Sequence, residues 1–294
     1  MCDTKARLDG KVVVITGSSS GIGLGAAKDV ARLGPKVILA SRNKEKLKRA
    51  REEIINESGN QNIDYKLLDL ASLKSVRAFA NEIKAEGRLD VLINNAGAVG
   101  LPDVLTEDGL NLTMQVNFFG AFLLTYLLLP LLKSSSPSRI INGSASSMYI
   151  GEIDFNHWND LRRYNIITSL ANSKLAMTLF TAELSSRLDD GVTANAFDPF
   201  LVRGTNLSDN IPVVVKDVVN FFINITGRDI KEVGKEIAYL AAAPEMRKER
   251  GRYYKFCIKF INHWLSGDRN FGKRLWEESK RLVKITPEED WELN

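Results

Sequence analysis

The run Thr16-Gly17-Ser18-Ser19-Ser20-Gly21-Ile22-Gly23 is the stretch of this chain best suited to holding a phosphate. The apolar run Val12-Val13-Val14-Ile15 leads into it, and Leu24, Ala26, Ala27, Val30 and Leu33 follow in helical composition. A strand therefore passes through a glycine-rich turn into a helix. Backbone N–H groups at such a helix start have no internal partner, and the glycines let a pyrophosphate approach them closely. Gly17, Ser19, Ser20, Gly21, Ile22 and Gly23 are the residues that would face a dinucleotide. Such a turn in isolation is an ordinary turn; the flanking strand and helix signals give it its meaning.

The end of the second apolar run decides which dinucleotide fits. An acidic residue there would hydrogen-bond the adenosine ribose, but the chain offers Ser41-Arg42, and a guanidinium suits a 2′-phosphate. NADP(H) is therefore expected over NAD(H), against the plainer reading of Arg42 as a surface arginine. Asp69-Leu70, after the third strand, either flanks the adenine or supplies a helix cap through Asp69. Asn94-Asn95-Ala96-Gly97 closes the fourth strand; its amides can brace neighbouring strand ends while Asn95, Ala96 and Gly97 let a cofactor pass.

These residues need a scaffold, and the rest of the chain reads as one. Strands are expected at 36–40, 63–70, 92–94, 139–142, 192–197 and 252–258, separated by helices at 44–57, 73–86, 110–132 and 168–188. Alternation of this kind implies right-handed crossovers and an α/β, Rossmann-type, doubly wound parallel sheet with helices on both faces. No linker divides the chain, so residues 1–294 read as a single domain. Residues 206–230 stand outside the alternation; the apolar part from Ile211 to Ile225 suits a substrate cover and equally suits core packing. Residues 259–294 form a C-terminal extension in which Phe271, Leu275, Trp276 and Leu282 share one side of an amphipathic helix.

Composition excludes several classes. With 40 basic and 36 acidic residues among 294, the net charge of +4 is small and scattered, which argues against nucleic acid. The 2 cysteines, Cys2 and Cys257, and the 2 histidines, His157 and His263, are far apart in sequence, so no metal site is expected. That cysteine usage fits a reducing compartment. The first residues lack the apolar core of a secretory signal, and Val116 to Leu132, which contains Asn117 and Pro130, reads as a buried helix rather than a transmembrane anchor. A cytoplasmic location is expected, and the Asn-x-Ser/Thr triplets at Asn111, Asn142, Asn206 and Asn224 then count as chance matches.

Taken together, Thr16 to Gly23, Asn94 to Gly97, Asn117 and Ser173-Lys174 resemble the short-chain dehydrogenase/reductase family over nearly the whole chain. Ser41-Arg42-Asn43, Gln115-Val116-Asn117, Arg139-Ile140-Ile141-Asn142, Asn172-Ser173-Lys174-Leu175-Ala176, Pro244-Glu245 and Leu275-Trp276-Glu277 are similar to its retinol-dehydrogenase-like branch. The resemblance implies NADP(H)-linked interconversion of hydrophobic alcohols with aldehydes or ketones, and so a hydrophobic small-molecule ligand. It also implies roles for Lys174, which would lower a neighbouring phenol's pKa and hold the nicotinamide ribose, and for Asn117, which would hold a water linked to that lysine. The plainer alternative for Asn117 is an amide satisfying a buried helix bend.

The departures from the family pattern are as informative as the matches. Its mechanism uses Tyr-x-x-x-Lys on one helical face, so that the tyrosine exchanges a proton with the substrate oxygen. Leu170 occupies the tyrosine's place before Lys174. The family's serine falls on Ala145; Ser144 and Ser146 flank it, and Ser144 reaches the role only through a local shift, because neighbours on a strand point to opposite faces. Where the branch has His-Pro-Gly beside the nicotinamide, this chain has Asp198-Pro199-Phe200, with Thr205 implied as a further cofactor contact. Tyr149 and Tyr164 do not share the helical face of Lys174 by spacing, although Tyr149 could approach from its loop.

Three functions fit these residues. One is an NADP(H)-dependent oxidoreductase with altered proton transfer, since loss of a general acid typically costs about 10² to 10⁴ in rate. Another is a non-redox isomerase or cyclase in which Lys174, Asn117 or Asp198 anchors an apolar substrate. The third is a catalytically inactive NADP(H)-bound sensor or carrier. The long apolar helix around Phe118 to Leu132 suits either the core or the interface of a homodimer.

Overall fold

The computed structural model describes residues 2–203 and 227–293. Residues 211–225, part of the expected cover, and Thr205 lie outside them. The chain begins its sheet with β1 (Val12–Thr16), β2 (Lys36–Ser41), β3 (Ile63–Leu67) and β4 (Val91–Asn94). β5 (Ser138–Gly143), β6 (Val192–Asp198), β7 (Tyr253–Lys255) and β8 (Ile258–Phe260) complete it. Among the described residues the order is β3-β2-β1-β4-β5-β6-β7-β8, in one 8-stranded sheet. All pairings are parallel except β7 with β8. The reversal between β3-β2-β1 and β4 onward is the topological switch at which such sheets open a crevice.

Central strands covered on both faces read as continuous apolar runs, and β1, β2 and β4 do. α1 (Gly21–Ala31), α2 (Lys44–Ser58) and α7 (Ile230–Ala242) pack one face, where Val13, Ile15, Val37, Leu39 and Ile237 are buried together. α3 (Leu73–Lys84), α5 (Gly120–Ser134) and α6 (Ile166–Arg187) pack the other around Phe79, Phe118, Phe122 and Phe180. Asn43, Ser72 and Asn165 each accept a first-turn N–H at the starts of α2, α3 and α6. α8 (Arg269–Leu282) lays Trp276 against Phe180, centroids 5.9 Å apart, and Tyr126 donates to Asp290 at 2.5 Å.

The helical span from Leu112 to Ser134 is long and apolar enough to cross a membrane, yet 83% of its most apolar window is buried inside the chain. It opens with a single turn, α4 (Leu112–Met114), and a π-helical segment, Gln115–Phe119, before α5. π segments shift the residues after them around the helix axis and recur at functional sites. Asn117 sits inside this one.

Three expectations are corrected. The third strand stops at Leu67 rather than Leu70, because Asp69 and the residues after it turn toward α3, with Ala71 N–H bonded to the Asp69 carboxylate at 3.0 Å. The expected last strand, 252–258, is broken by Phe256 and Cys257, which both adopt positive φ and turn the chain back as an antiparallel hairpin. Cys2 and Cys257, distant in sequence, meet: their Cα atoms are 5.7 Å apart and a disulfide joins them. Their spacing therefore no longer argues for a reducing compartment.

Candidate active site

The cleft above the switch point has a volume of about 420 Å³ and runs from the glycine-rich turn to the end of β2. The turn needs its glycines for space. Gly17 has φ +68°, and a Cβ on it would lie 2.8 Å from Ala96 Cα; a Cβ on Gly23 would lie 2.3 Å from the Gly17 carbonyl oxygen. Ser18 is spent on structure, donating to the Ile15 carbonyl at 2.8 Å and accepting from Ala40 N–H at 3.0 Å, which locks the turn to both strands. Ser19 pairs with Ser41 across the cleft at 2.9 Å, and Ser20 begins α1 without capping it through its own side chain.

Ser41, Arg42, Asn43 and Lys46 line the cleft at the β2 end, while Asp69, Leu70 and Val116 close the side that an adenine would face. Ser72 caps α3, so Asp69 is not that helix's N-cap. Asn95 donates to the Thr16 carbonyl at 3.0 Å, and Ala96 N–H bonds the Thr16 hydroxyl at 3.0 Å, which fixes the Asn95-Ala96-Gly97 wall against the turn. Asn94 braces the neighbouring strand, donating to Thr125 and to Asn142, each at 2.8 Å. A turn with no room for a Cβ at Gly17 or Gly23, the Ser19 and Ser41 hydroxyls, and the Arg42 and Lys46 cations at the β2 end match the chemistry of a phosphorylated dinucleotide.

A second pocket, about 300 Å³, adjoins the first and shares Ile22, Asn95, Gly97, Ala98 and Val99 with it. Its wall includes Leu170, Lys174, Phe197 and Leu201, together with Ala145, Ser146, Asp198, Pro199 and Phe200. Lys174 donates to the Gly143 carbonyl at 3.0 Å. Burial pushes its ammonium down to about 8, with the negative Asp198 pulling the other way. Asn117 takes Ala98 N–H at 2.7 Å and returns a bond to the Ala98 carbonyl at 2.9 Å, with Ser173 at 3.3 Å. Its amide thus pins the post-β4 loop to α6. Gly97 leaves room for Lys174 Nζ and the Asn117 amide, at 3.2 and 3.4 Å from where its Cβ would be.

The positions of the departures are plain. Leu170 lines the pocket one turn before Lys174, on the face where the family places a phenol. Ser144 lines it too, but its hydroxyl is occupied by the Lys174 carbonyl at 3.0 Å and Thr178 at 2.7 Å, both on α6. Ala145 is extended, and its methyl side chain carries no polar group. Tyr149 is half-exposed and its hydroxyl donates to the Ile261 carbonyl, so it bonds the segment after β8 rather than lining the pocket. Tyr164 precedes α6 and lines neither pocket.

Phe200 has φ +59°, a left-handed conformation that costs an ordinary side chain about 1–2 kcal/mol and a glycine almost nothing. Its N–H bonds the Asp198 carboxylate at 2.7 Å and its ring lies 4.3 Å from the Lys255 ammonium. The substitution at this point thus keeps the turn that a glycine would make. Sequence reasoning missed Tyr253 and Lys255, which join Asp198 and Ser146 from the neighbouring strand β7, distant only in sequence; their alternate positions on one strand did not say what they would face.

A family model for short chain dehydrogenase matches residues 11–213. The chain is 40% identical to human retinol dehydrogenase 13 over 290 residues, covering 97% of this chain and 88% of that one. It is 39% identical to human retinol dehydrogenase 14, covering 95% and 88%. An uncharacterised Mycobacterium paratuberculosis protein superposes with TM-score 0.75 at 29% identity over 95% of each chain. A Shigella flexneri short chain dehydrogenase solved with NADP shares the fold, with TM-score 0.67 at 23% identity over 86% of this chain and 99% of that one.

Proposed function

Because the chain belongs to the short-chain dehydrogenase family, on its retinol-dehydrogenase-like branch, we propose that it is an NADP(H)-dependent oxidoreductase of hydrophobic carbonyl compounds or alcohols whose proton transfer departs from the family pattern. The observation that carries the reading is the pairing of a full dinucleotide cradle, ending on Arg42 and Lys46, with an adjoining pocket in which Leu170 replaces the phenol. Bound there, the dinucleotide would supply or accept a hydride. The chain's own residues divide the remaining work. Gly17 to Gly23 take the pyrophosphate, and Arg42 takes the 2′-phosphate. Lys174 and Asn117, held by Gly143 and Ala98, set the floor beside the nicotinamide end. Leu170, Phe197, Phe200 and Leu201 exclude water and favour an apolar substrate.

The test is loss of reduced-nicotinamide absorbance with a panel of long-chain aldehydes and ketones. The reading predicts slow, NADPH-dependent turnover. Substrate conversion with no change in that absorbance would transfer the protein to isomerisation or cyclisation, and no conversion despite NADPH binding would make it a sensor or carrier.

A further inference from the structure

The pocket that Lys174 lines also carries a polar cluster that the family's catalytic residues do not include. Ser146 and Asp198 both line the pocket, and Ser146 donates to Asp198 Oδ2. The same oxygen accepts the Tyr253 hydroxyl at 2.8 Å and lies 3.7 Å from Lys255 Nζ, while Oδ1 accepts Phe200 N–H at 2.7 Å. Lys255 Nζ in turn donates to Ser146 Oγ at 3.0 Å. Asp198 is fully buried, and Lys255 keeps a 12% exposed edge.

The sheet explains why these groups meet. Asp198 and Lys255 are register partners on β6 and β7, and Tyr253 shares the face of Lys255 because side chains alternate along a strand. Three aromatic rings, Phe200, Phe256 and Phe260, stand 4.3, 5.5 and 5.6 Å from the ammonium and confine it beside Ser146. Burial and the Asp198 charge both push the Tyr253 phenol up, so it stays protonated and serves as a fixed donor.

We propose that Ser146, held by Asp198 and recharged by Lys255, delivers the proton to the substrate oxygen in this chain. The proposal rests on the oxidoreductase reading above. In the reducing direction, with a reduced nicotinamide dinucleotide as hydride source, the carbonyl carbon gains the hydride and its bonding pair. The C=O π pair moves onto oxygen, which takes the Ser146 hydroxyl proton as the O–H bond breaks. Ser146 Oγ takes a proton from the Lys255 ammonium, and water returns one to the Lys255 amine through its exposed edge. The sum is carbonyl plus hydride plus proton to alcohol; the reverse sequence serves oxidation. Asp198 and Tyr253 are positioning residues: when the Ser146 hydroxyl turns to the substrate, Asp198 still has the Tyr253 bond and the Lys255 charge.

The test uses the whole protein with NADPH, as wild type, Ser146→Ala, Ser146→Thr and Lys255→Met. Fluorescence titration with NADPH comes first, and the same affinity is expected in all four. Ser146→Ala and Lys255→Met should then lower kcat for a long-chain aldehyde by roughly 10²-fold with KM little changed, and Ser146→Thr should keep most of the rate. Added methylamine should restore part of the Lys255→Met rate, which a merely structural lysine would not allow. A readout without turnover is calorimetric binding of octanamide, whose oxygen stands in for that of the substrate; Ser146→Ala should weaken it roughly tenfold. Turnover within twofold of wild type in both Ser146→Ala and Lys255→Met, or unchanged octanamide affinity, would overturn the relay while leaving the cofactor reading intact. Failure of the wild type to bind NADPH would overturn both.

Discussion

At the scale of single residues, the groups that would hold a cofactor and those that would move a proton lie in two adjoining pockets. Leu170 sits in the pocket one turn from Lys174, so Leu170→Tyr should place a phenol where the ammonium can tune it. The expected outcome is an increase in NADPH-dependent aldehyde reduction on the order of 10². No gain, with NADPH binding retained, would mean that proton delivery does not limit the wild type. Lys174 itself carries a pH signature. Its folded-state pKa, lowered to about 8 by burial, lies below the roughly 10.4 of an unfolded lysine. Between those values the unfolded chain binds more protons, so this residue makes stability rise with pH across that window. Lys174→Met should therefore melt higher than wild type at pH 7, with the gap closing as pH rises through 8 toward the unfolded value; a gap independent of pH would contradict the burial argument. That Leu170 lies one turn before Lys174 on the same helix was legible in the sequence, because residues four apart share a face. The fate of Ser144 was not, because its bonds to Lys174 and Thr178 depend on how α6 packs against β5.

At the scale of elements, the strand ends are held by buried polar bonds that sequence patterning does not show. Asp90 accepts Val12 N–H at 2.9 Å and is paired with Arg88 at 2.7 Å and Lys11 at 2.9 Å, which ties the start of β1 to the start of β4. Burial pushes this carboxyl up, but Arg88, Val12 and Lys11 outweigh it and hold its pKa below the usual range. The stability it contributes is complete above the unfolded value of about 3.9 and is lost as pH falls through the lower folded value. Asp90→Asn should cost about 1–3 kcal/mol near neutrality in urea melts and lose that acid-dependent part; stability equal to wild type near neutrality would refute the assignment. The glycine-rich turn was legible because glycine spacing reports backbone clearance directly. Gly23→Ala should displace the turn and remove NADPH binding. The β7–β8 hairpin was not legible, since neither Phe256 nor Cys257 advertises a positive φ.

At the scale of the whole molecule, apolar periodicity and alternation were enough to predict the doubly wound sheet, because parallel strands and their crossovers impose a repeating pattern. Contacts between the chain's ends left no such trace. Trp276 is buried against Phe180 and Phe122, so Trp276→Ala should cost about 3–5 kcal/mol in equilibrium unfolding, whereas an effect below 1 kcal/mol would deny α8 its place in the core. Cys2 and Cys257 close nearly the whole chain into one loop, and denatured protein prepared without reductant should show no free thiol with a thiol reagent. Two reactive thiols per chain would mean that the bond does not form under those conditions. The account as a whole depends on the dinucleotide cleft, and paired fluorescence titrations of NADPH and NADH against wild type and Arg42→Ala test it most directly. It predicts NADPH binding at least roughly tenfold tighter than NADH, a preference lost in Arg42→Ala, as expected when a charged hydrogen bond worth about 1.5–3 kcal/mol is removed. Tighter binding of NADH, an unchanged preference in the variant, or no binding of either dinucleotide would contradict it.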